Sequence, residues 1–561
     1  MRATVSDAVR ARGTTETMMT ATERPAPAAA RGIGEEERRV MVVSSVGAVF
    51  EWYDFYLFAT LAPFFATVFF PPGNDTAALL SALAIYVAGF LVRPFGALIF
   101  GRIGDTSGRQ HTLLAATLVT GLATFAVGLL PTFEMVGWWA PVLLGFLRVL
   151  QGLALGGEYG GTTVYVAEHA TPRHRGFLTA CLQTTATAGF LLTLVVVGVC
   201  RYSGIMTAES FAAWGWRIPF LASILLLIFS AYSRLKLSES PVFRRMKAAG
   251  GGTRRPLTDS LLRFPNGRRV LLALFGATAG QGVVWYAGQI YAFYFLTITL
   301  ALDGRTAYPL MAAALVLGLP AIVFAGWLSD RIGRLRIILA GCVLAALTYM
   351  PLFHALADAV NPALRSYQAT HPITVAARDC GVHLVVTPFT RFSECDRVRD
   401  LLTTSGLSFR SVELPAGSPD AVVTRIGDVE VRGFGDGAAL KAALAATGYP
   451  ARADPDAIRW PAALGILAVM LLFVAMTYGP IAAFLAELFP TAVRYTSMSV
   501  PYHVGNGWFG GTLPLVATAM AVATGDLYFG LWYPVLVAAA TAVIGGLFLR
   551  DLRNRALDDE D

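Results

Sequence analysis

Charge is what this chain has least of. Asp, Glu, Lys and Arg make up 14% of its 561 residues, against 55% hydrophobic residues and a mean hydropathy of +0.58. A soluble globular chain carries roughly 25% charged residues, so a surface wetted all round is excluded. Cysteine is scarce as well. Cys181, Cys200 and Cys342 fall in apolar runs and read as apolar filler. No nucleotide-binding loop and no metal-ligand cluster is present, so enzyme chemistry has no foothold and neither cofactor nor metal is expected. Residues 1–38 lack the apolar core of a signal peptide and read as a disordered cytoplasmic tail.

What the chain does have is long apolar runs. Twelve are long enough to cross a hydrocarbon core of about 30 Å. They fall at about 41–68, 79–101, 112–131, 139–164, 176–200, 216–235, 269–300, 307–328, 335–354, 461–485, 496–523 and 528–549, numbered here as spans 1–12. At that depth the backbone can bond only to itself, so helices are expected and the fold class is an all-α integral membrane protein. Lys and Arg concentrate in 31–40 and in the loops 102–111, 165–175, 234–269, 329–337, 486–495 and 550–555, whereas the short loops on the opposite side hold only Arg201, Arg217 and Arg305. Both termini are therefore expected in the cytoplasm, with the formal charge of +7 facing anionic inner-leaflet lipid rather than nucleic acid.

Two polar patterns occur twice. Gly101, Asp105, Gly108 and Arg109 form G-x-x-x-D-x-x-G-R, and so do Gly326, Asp330, Gly333 and Arg334. Ala167-Glu168, Pro172 and Arg175 are echoed by Ala486-Glu487, Pro490 and Arg494. Such echoes point to a duplicated membrane protein. In the first loop, Gly104 and Gly108 suit a tight turn. Asp105 can pair with a basic group or face a helix N-terminus, holding the halves together as part of a gate.

Charges inside spans are the candidate functional residues. Glu51 and Asp54 each cost about 2.5–3.5 kcal/mol on insertion scales and share one face of span 1. Two carboxylates so placed favour one held proton near neutral pH, as a proton-coupling group requires. Tyr53 beside them is a solute-binding candidate. Arg93 ends span 2 beside the small residues Gly96, Ala97 and Gly101, placed either to snorkel or to pair with an acid. On span 4, Arg148, Gln151 and Glu158 form one stripe. Arg148 and Asp54 lie at similar depth, to meet as an ion pair or to leave Arg148 for a solute carboxylate. Glu158 is a coupling candidate near the level of Arg93. A purely structural role for these buried charges is the competing reading.

At these residues the chain resembles the major facilitator superfamily, and within it the metabolite:proton symporters. The marks are V-F-E-W-Y-D-F-Y-L-F-A-T-L-A-P-F-F at 49–65, R-P-F-G-A-L-I-F-G-R-I-G-D at 93–105, R-V-L-Q-G-L-A-L-G-G-E-Y-G-G at 148–161, G-W-R-I-P-F at 215–220 and S-E-S-P-V-F at 238–243. The resemblance implies two six-helix bundles around a central site, alternating access and proton-driven uptake of small organic acids or zwitterions. The expected partners are such a solute, protons and the bilayer of a cell inner membrane, with the protein a monomer. Export or uniport on the same fold, and a sensor built on the insert described below, are the alternatives.

In the second half, Gln281, Trp285 and Gln289 step by four along span 7, a stripe able to orient a ligand. Tyr502 and Asn506 on span 11 join them, with His503 a secondary candidate. The expected order is a tail at 1–38, a bundle at 39–235, a linker at 236–268, spans 7–9 at 269–355, an insert at 356–459, spans 10–12 at 460–550 and a tail at 551–561. The insert should be a small α/β unit outside the membrane, periplasmic if the cell has that space. Its strands are expected at 373–377, 383–388, 409–414, 421–425 and 428–432, and its helices at 393–405 and 436–447. The stretch V-V-T-P-F-T-R-F-S-E-C-D-R-V-R-D-L-L weakly resembles the first strand and helix of glutaredoxins. Cys395 would match their second active-site cysteine, while Phe392 replaces the first and speaks against dithiol chemistry. An outward position permits a Cys380–Cys395 disulfide, and the insert's partner is open.

Overall fold

The computed structural model describes residues 35–235 and 256–552, apart from 108, 416, 417, 419 and 492. Among them, ten helices have the length and composition to cross a membrane, from Asp75–Phe100 to Phe529–Phe548. Glu35–Phe69 and Arg109–Val127 supply spans 1 and 3, completing the twelve. Span 2 is interrupted at Val92, between Asp75–Leu91 and Arg93–Ser107. Pro94 has no N–H to continue the ladder there. The second of these helices runs on through Gly101, Gly104 and Asp105. The turn expected at Gly104 is therefore absent, because the helical bonds continue beyond the apolar run. Gly108, the linker residues 236–255 and the side chains of Asp105, Arg109 and Glu158 lie outside the described residues.

The halves meet along spans 5 and 8, Arg175–Tyr202 and Gly304–Ile332. Their approach is close: a Cβ on Gly326 would sit 2.2 Å from the Ala180 Cβ and 2.5 Å from the Gly176 carbonyl. Span 7 carries π-helical turns at Leu274–Thr278, Ala287–Tyr291 and Phe295–Thr299, and span 11 one at Val504–Gly511. Such turns shift side chains around a helix and gather at functional sites.

Between Val360 and Trp460 the chain forms a four-stranded sheet in the order β2-β1-β3-β4. The strands are β1 Ile373–Ala377, β2 Arg410–Glu413, β3 Val422–Ile426 and β4 Val429–Arg432. β1 runs parallel to β2 and antiparallel to β3. Helices Glu394–Thr404 and Ala438–Ala446 pack on it, closing a core that includes Val375, Val398, Leu402, Val422 and Leu440. Cys380 and Cys395 are disulfide-bonded. The strand expected at 383–388 is not formed. The Val386 amide donates instead to Ser81 Oγ of span 2, 2.7 Å away, so it is not available to a ladder.

Candidate functional site

Two arginines stand in the apolar interior of the first half. Arg148 is 1% exposed and Arg93 3% exposed. Close backbone contact brings spans 2 and 4 together, for a Cβ on Gly152 would lie 1.9 Å from the Gly89 carbonyl oxygen. Both guanidinium groups then face one ring: Phe55 has Arg93 at 4.3 Å and Arg148 at 4.4 Å from its centroid. Phe90 also faces Arg93, and Phe58 and Tyr86 face Arg148. Arg148 donates through Nη1 to Gln151 Oε1 at 2.8 Å, and Gln151 Nε2 donates to Thr124 Oγ1 at 2.8 Å. Nε and Nη2 of both arginines have no hydrogen-bond partner among the described residues. Ring contacts stabilise a desolvated cation but give its remaining N–H groups no acceptor, and the region favours an anion.

No ion pair joins Arg148 to Asp54 among the described residues, contrary to one of the expected arrangements. Asp54 precedes Phe55, and successive helical side chains diverge by about 100°. With Phe55 turned to the arginines, Asp54 is directed elsewhere, and it is buried. Tyr53 is likewise turned from the arginines, its hydroxyl donating to the Pro219 carbonyl of span 6 at 3.1 Å.

A cleft lies beside Arg93, bordered by Glu51, Arg93, Gln183, Tyr502 and His503. Residues of both halves form its wall. Ser230 Oγ on span 6 donates to Glu51 at 3.5 Å. The cleft brings a carboxylate, a guanidinium and an imidazole from spans 1, 2 and 11 around one space.

The span 7 stripe is buried, but its members have separate contacts. Gln281 and Asn506 exchange two hydrogen bonds, 3.1 and 2.7 Å, within the second half. Trp285 stacks on Tyr56 of span 1 at 5.6 Å, and its Nε1 has no partner among the described residues. Gln289 donates to Thr187 of span 5 at 3.3 Å. Tyr502 contacts Tyr478 through their hydroxyls at 3.4 Å. Trp285 and Gln289 therefore bridge the halves, while Gln281 and Asn506 satisfy each other.

At the end of the bundle away from the insert, the echoed residues interlock. Asp330 of the second half accepts from the Gly176 and Phe177 amides of the first, at 2.8 and 2.9 Å, capping span 5. Arg334 donates to Asp330 at 2.7 Å and to both oxygens of Glu487. Gly333, at φ +115°, makes the turn before span 9. Glu487 also receives Arg175 of the first half at 2.9 Å, and Glu168 receives Arg494 of the second at 3.3 Å. Each echo thus lends its Glu to the other's Arg. The repeated Glu and Arg, seven residues apart, were the sequence signal for these four residues, but their assignment as partners required the two-fold arrangement.

A model of the family "Sugar (and other) transporter" matches residues 40–260. The alpha-ketoglutarate permease of Escherichia coli K12 is 34% identical over 332 residues, covering 58% of this chain and 74% of the permease. The shikimate transporter of the same strain is 36% identical over 324 residues, 57% of this chain and 72% of that protein. The proline/betaine transporter of Salmonella typhimurium LT2 is 33% identical over 322 residues, 56% and 64% of the two chains. In fold, the proton:xylose symporter XylE bound to 6-bromo-6-deoxy-D-glucose aligns with a TM-score of 0.61 at 16% identity, over 93% of this chain and 97% of XylE. Fold, site and relatives together define a membrane transporter of organic solutes, not an enzyme. Within that class the chain belongs to the major facilitator superfamily, alongside the alpha-ketoglutarate, shikimate and proline/betaine transporters.

Proposed function

We propose that this chain carries a small organic acid or zwitterion into the cell together with a proton, by alternating access. The observation that carries this reading is the pair of buried arginines sharing Phe55, with N–H groups left for a ligand. A guanidinium binds a carboxylate through parallel bonds that a sugar hydroxyl cannot match in charge. Relatives named for alpha-ketoglutarate, shikimate and proline/betaine all handle solutes with a carboxylate. Arg148 is assigned to that carboxylate, with Gln151, Trp285, Gln289 and Tyr502 around the path. Glu51 is assigned to proton coupling because it borders the cleft with Arg93 and His503. Asp54 and Glu158 remain coupling candidates. The interlock of Asp330, Arg334, Glu487 and Arg175 acts as the inner gate, with both termini on that cytoplasmic side.

The test is uptake into proteoliposomes under an inward proton gradient, with labelled 2-oxoglutarate, shikimate, proline and glycine betaine. Gradient-dependent accumulation of at least one supports the reading. Accumulation that ignores the proton gradient contradicts it.

A further inference from the structure

The insert is fastened to both halves, in different ways. To the second half it is joined covalently through spans 9 and 10. Asn361 Nδ2 also donates to the Leu300 carbonyl at 3.1 Å, and the Phe409 amide to the Gly525 carbonyl at 2.8 Å. Gly406 abuts span 7 so closely that a Cβ there would lie 2.1 Å from the Thr299 carbonyl oxygen. These contacts hold the insert to the ends of spans 7 and 11.

To the first half it is joined at the start of span 2. Asp400 accepts from the Asp75 amide at 3.1 Å through one oxygen and from the Thr76 amide at 2.7 Å through the other. The carboxylate thus caps the helix with its formal charge against the positive end of the helix dipole. Asn74, the intrinsic cap of that helix, donates to the Asp396 carbonyl at 3.4 Å. Val386 bonds to Ser81 at 2.7 Å, farther down span 2. Beneath helix Glu394–Thr404 lies a small cleft, bordered by Thr76 of span 2, Tyr291 and Tyr294 of span 7 and Thr518 of span 11. Thr403 and Thr404 of the insert form part of its wall.

We infer that the insert is a latch over the outer mouth of the transporter, carried by the second half and closed on the first half by Asp400 at the start of span 2. The inference rests on the alternating-access reading. For solute to enter from this side, the outer ends of spans 2 and 7 must part. The continuous chain and the span 7 and span 11 contacts carry the insert with the second half. The bonds that break are therefore those of Asp400, Asn74 and Val386. Charge-assisted bonds are roughly twice as strong as neutral ones, which makes Asp400 the principal one.

The experiment is distance measurement by pulsed electron resonance on the full chain in nanodiscs, with the free cysteines Cys181, Cys200 and Cys342 replaced by Ser and the Cys380–Cys395 bond kept. One spin-labelled pair, Met135→Cys with Glu413→Cys, spans the first half and the insert. Another, Met135→Cys with Arg305→Cys, spans the two halves without touching the insert. Asp400→Ala should lengthen both distances, raising the open-to-closed ratio about ten-fold, and Asp400→Asn should fall between. An insert that merely unfolds would broaden the first pair and leave the second unchanged, and that result overturns the latch, as does no change in either. The distances are read without solute. A chain whose uptake of 2-oxoglutarate, shikimate, proline and glycine betaine ignores the proton gradient, yet shows both pairs lengthening, keeps the latch while losing the symport reading.

Discussion

At the residue scale, the decisive fact is what surrounds Arg148 and Arg93. Their rings offset part of the cost of burying charge, and Gln151 takes one N–H of Arg148. Replacing Arg148 by Gln removes the charge at a site of similar volume. Uptake of the carried acid should fall on the order of 10- to 100-fold, the value of a hydrogen bond to a charged group. Lys, with a point charge in place of a planar fork, should restore only part of it. An unchanged Michaelis constant and rate in Arg148→Gln would remove this residue from the site. Glu51→Gln should abolish accumulation against a gradient while leaving solute exchange between the two sides intact, because exchange needs no net proton release. Loss of exchange as well would instead mark Glu51 as structural. Sequence reasoning reached these side chains because an ionised group in a span is costly wherever it points. It reached the wrong partner as one alternative for Asp54, because a single step along the helix separates Phe55, turned to the arginines, from a carboxylate directed elsewhere.

At the scale of elements, the echoed loops work as a reciprocal clasp. Glu487 lies between Arg175 and Arg334, all three buried. Glu487→Gln leaves two buried cations short of their counter-charge, a change that typically costs about 3–5 kcal/mol. The inner face should then open, and cysteines placed near Gly176 should become reactive to a membrane-impermeant reagent applied from the cytoplasmic side. Reactivity equal to wild type would mean the clasp does not hold the gate. The pattern was legible as a repetition, yet no sequence rule says which Glu meets which Arg. The insert shows the opposite balance. Its four strands and both its sheet-packing helices follow from the apolar pattern, whereas 383–388 has the composition of a strand and is diverted by Ser81 of a distant span. Nothing local distinguishes Asp400 from the other acids around it, for its role depends on the amides of Asp75 and Thr76.

The insert also carries its own electrostatic and covalent supports. Burial alone would raise the Asp396 pKa, but hydrogen bonds from His383 and from the Gly381 and Ser393 amides outweigh it and hold the carboxyl below its ordinary range. A depressed pKa contributes stability above the unfolded-state value, near 4, that is lost as pH falls through the folded value. Amide exchange at Gly381 and Ser393 should therefore accelerate, after correction for its intrinsic pH dependence, once pH drops below about 4. In Asp396→Asn that acid step should be absent. The Cys380–Cys395 bond closes a separation of 15 residues. Its removal in Cys380→Ser with Cys395→Ser should cost the insert about 3 kcal/mol, read as faster exchange across β1 and helix Glu394–Thr404. Unaltered exchange would show that the bond adds nothing to the folded insert.

At the scale of the whole molecule, two halves related by repetition are joined at one end by ion pairs and at the other by an inserted domain. The fold was the most legible part, because lipid leaves only helices and closed barrels to satisfy the backbone, and continuous apolar runs of about 20 residues suit helices. The site was legible as a set of costly residues and not as a geometry, since rotation of each span decides which of them share a space. The claim on which the rest depends is that a solute carboxylate and a proton cross together. It is tested most directly by recording internal pH in proteoliposomes with no imposed gradient while 2-oxoglutarate, shikimate, proline or glycine betaine is added outside. The account predicts that the transported solute acidifies the lumen at a rate that tracks its uptake, and that Glu51→Gln loses the acidification. Uptake of any of these solutes without a matching proton signal in the wild-type chain would contradict it.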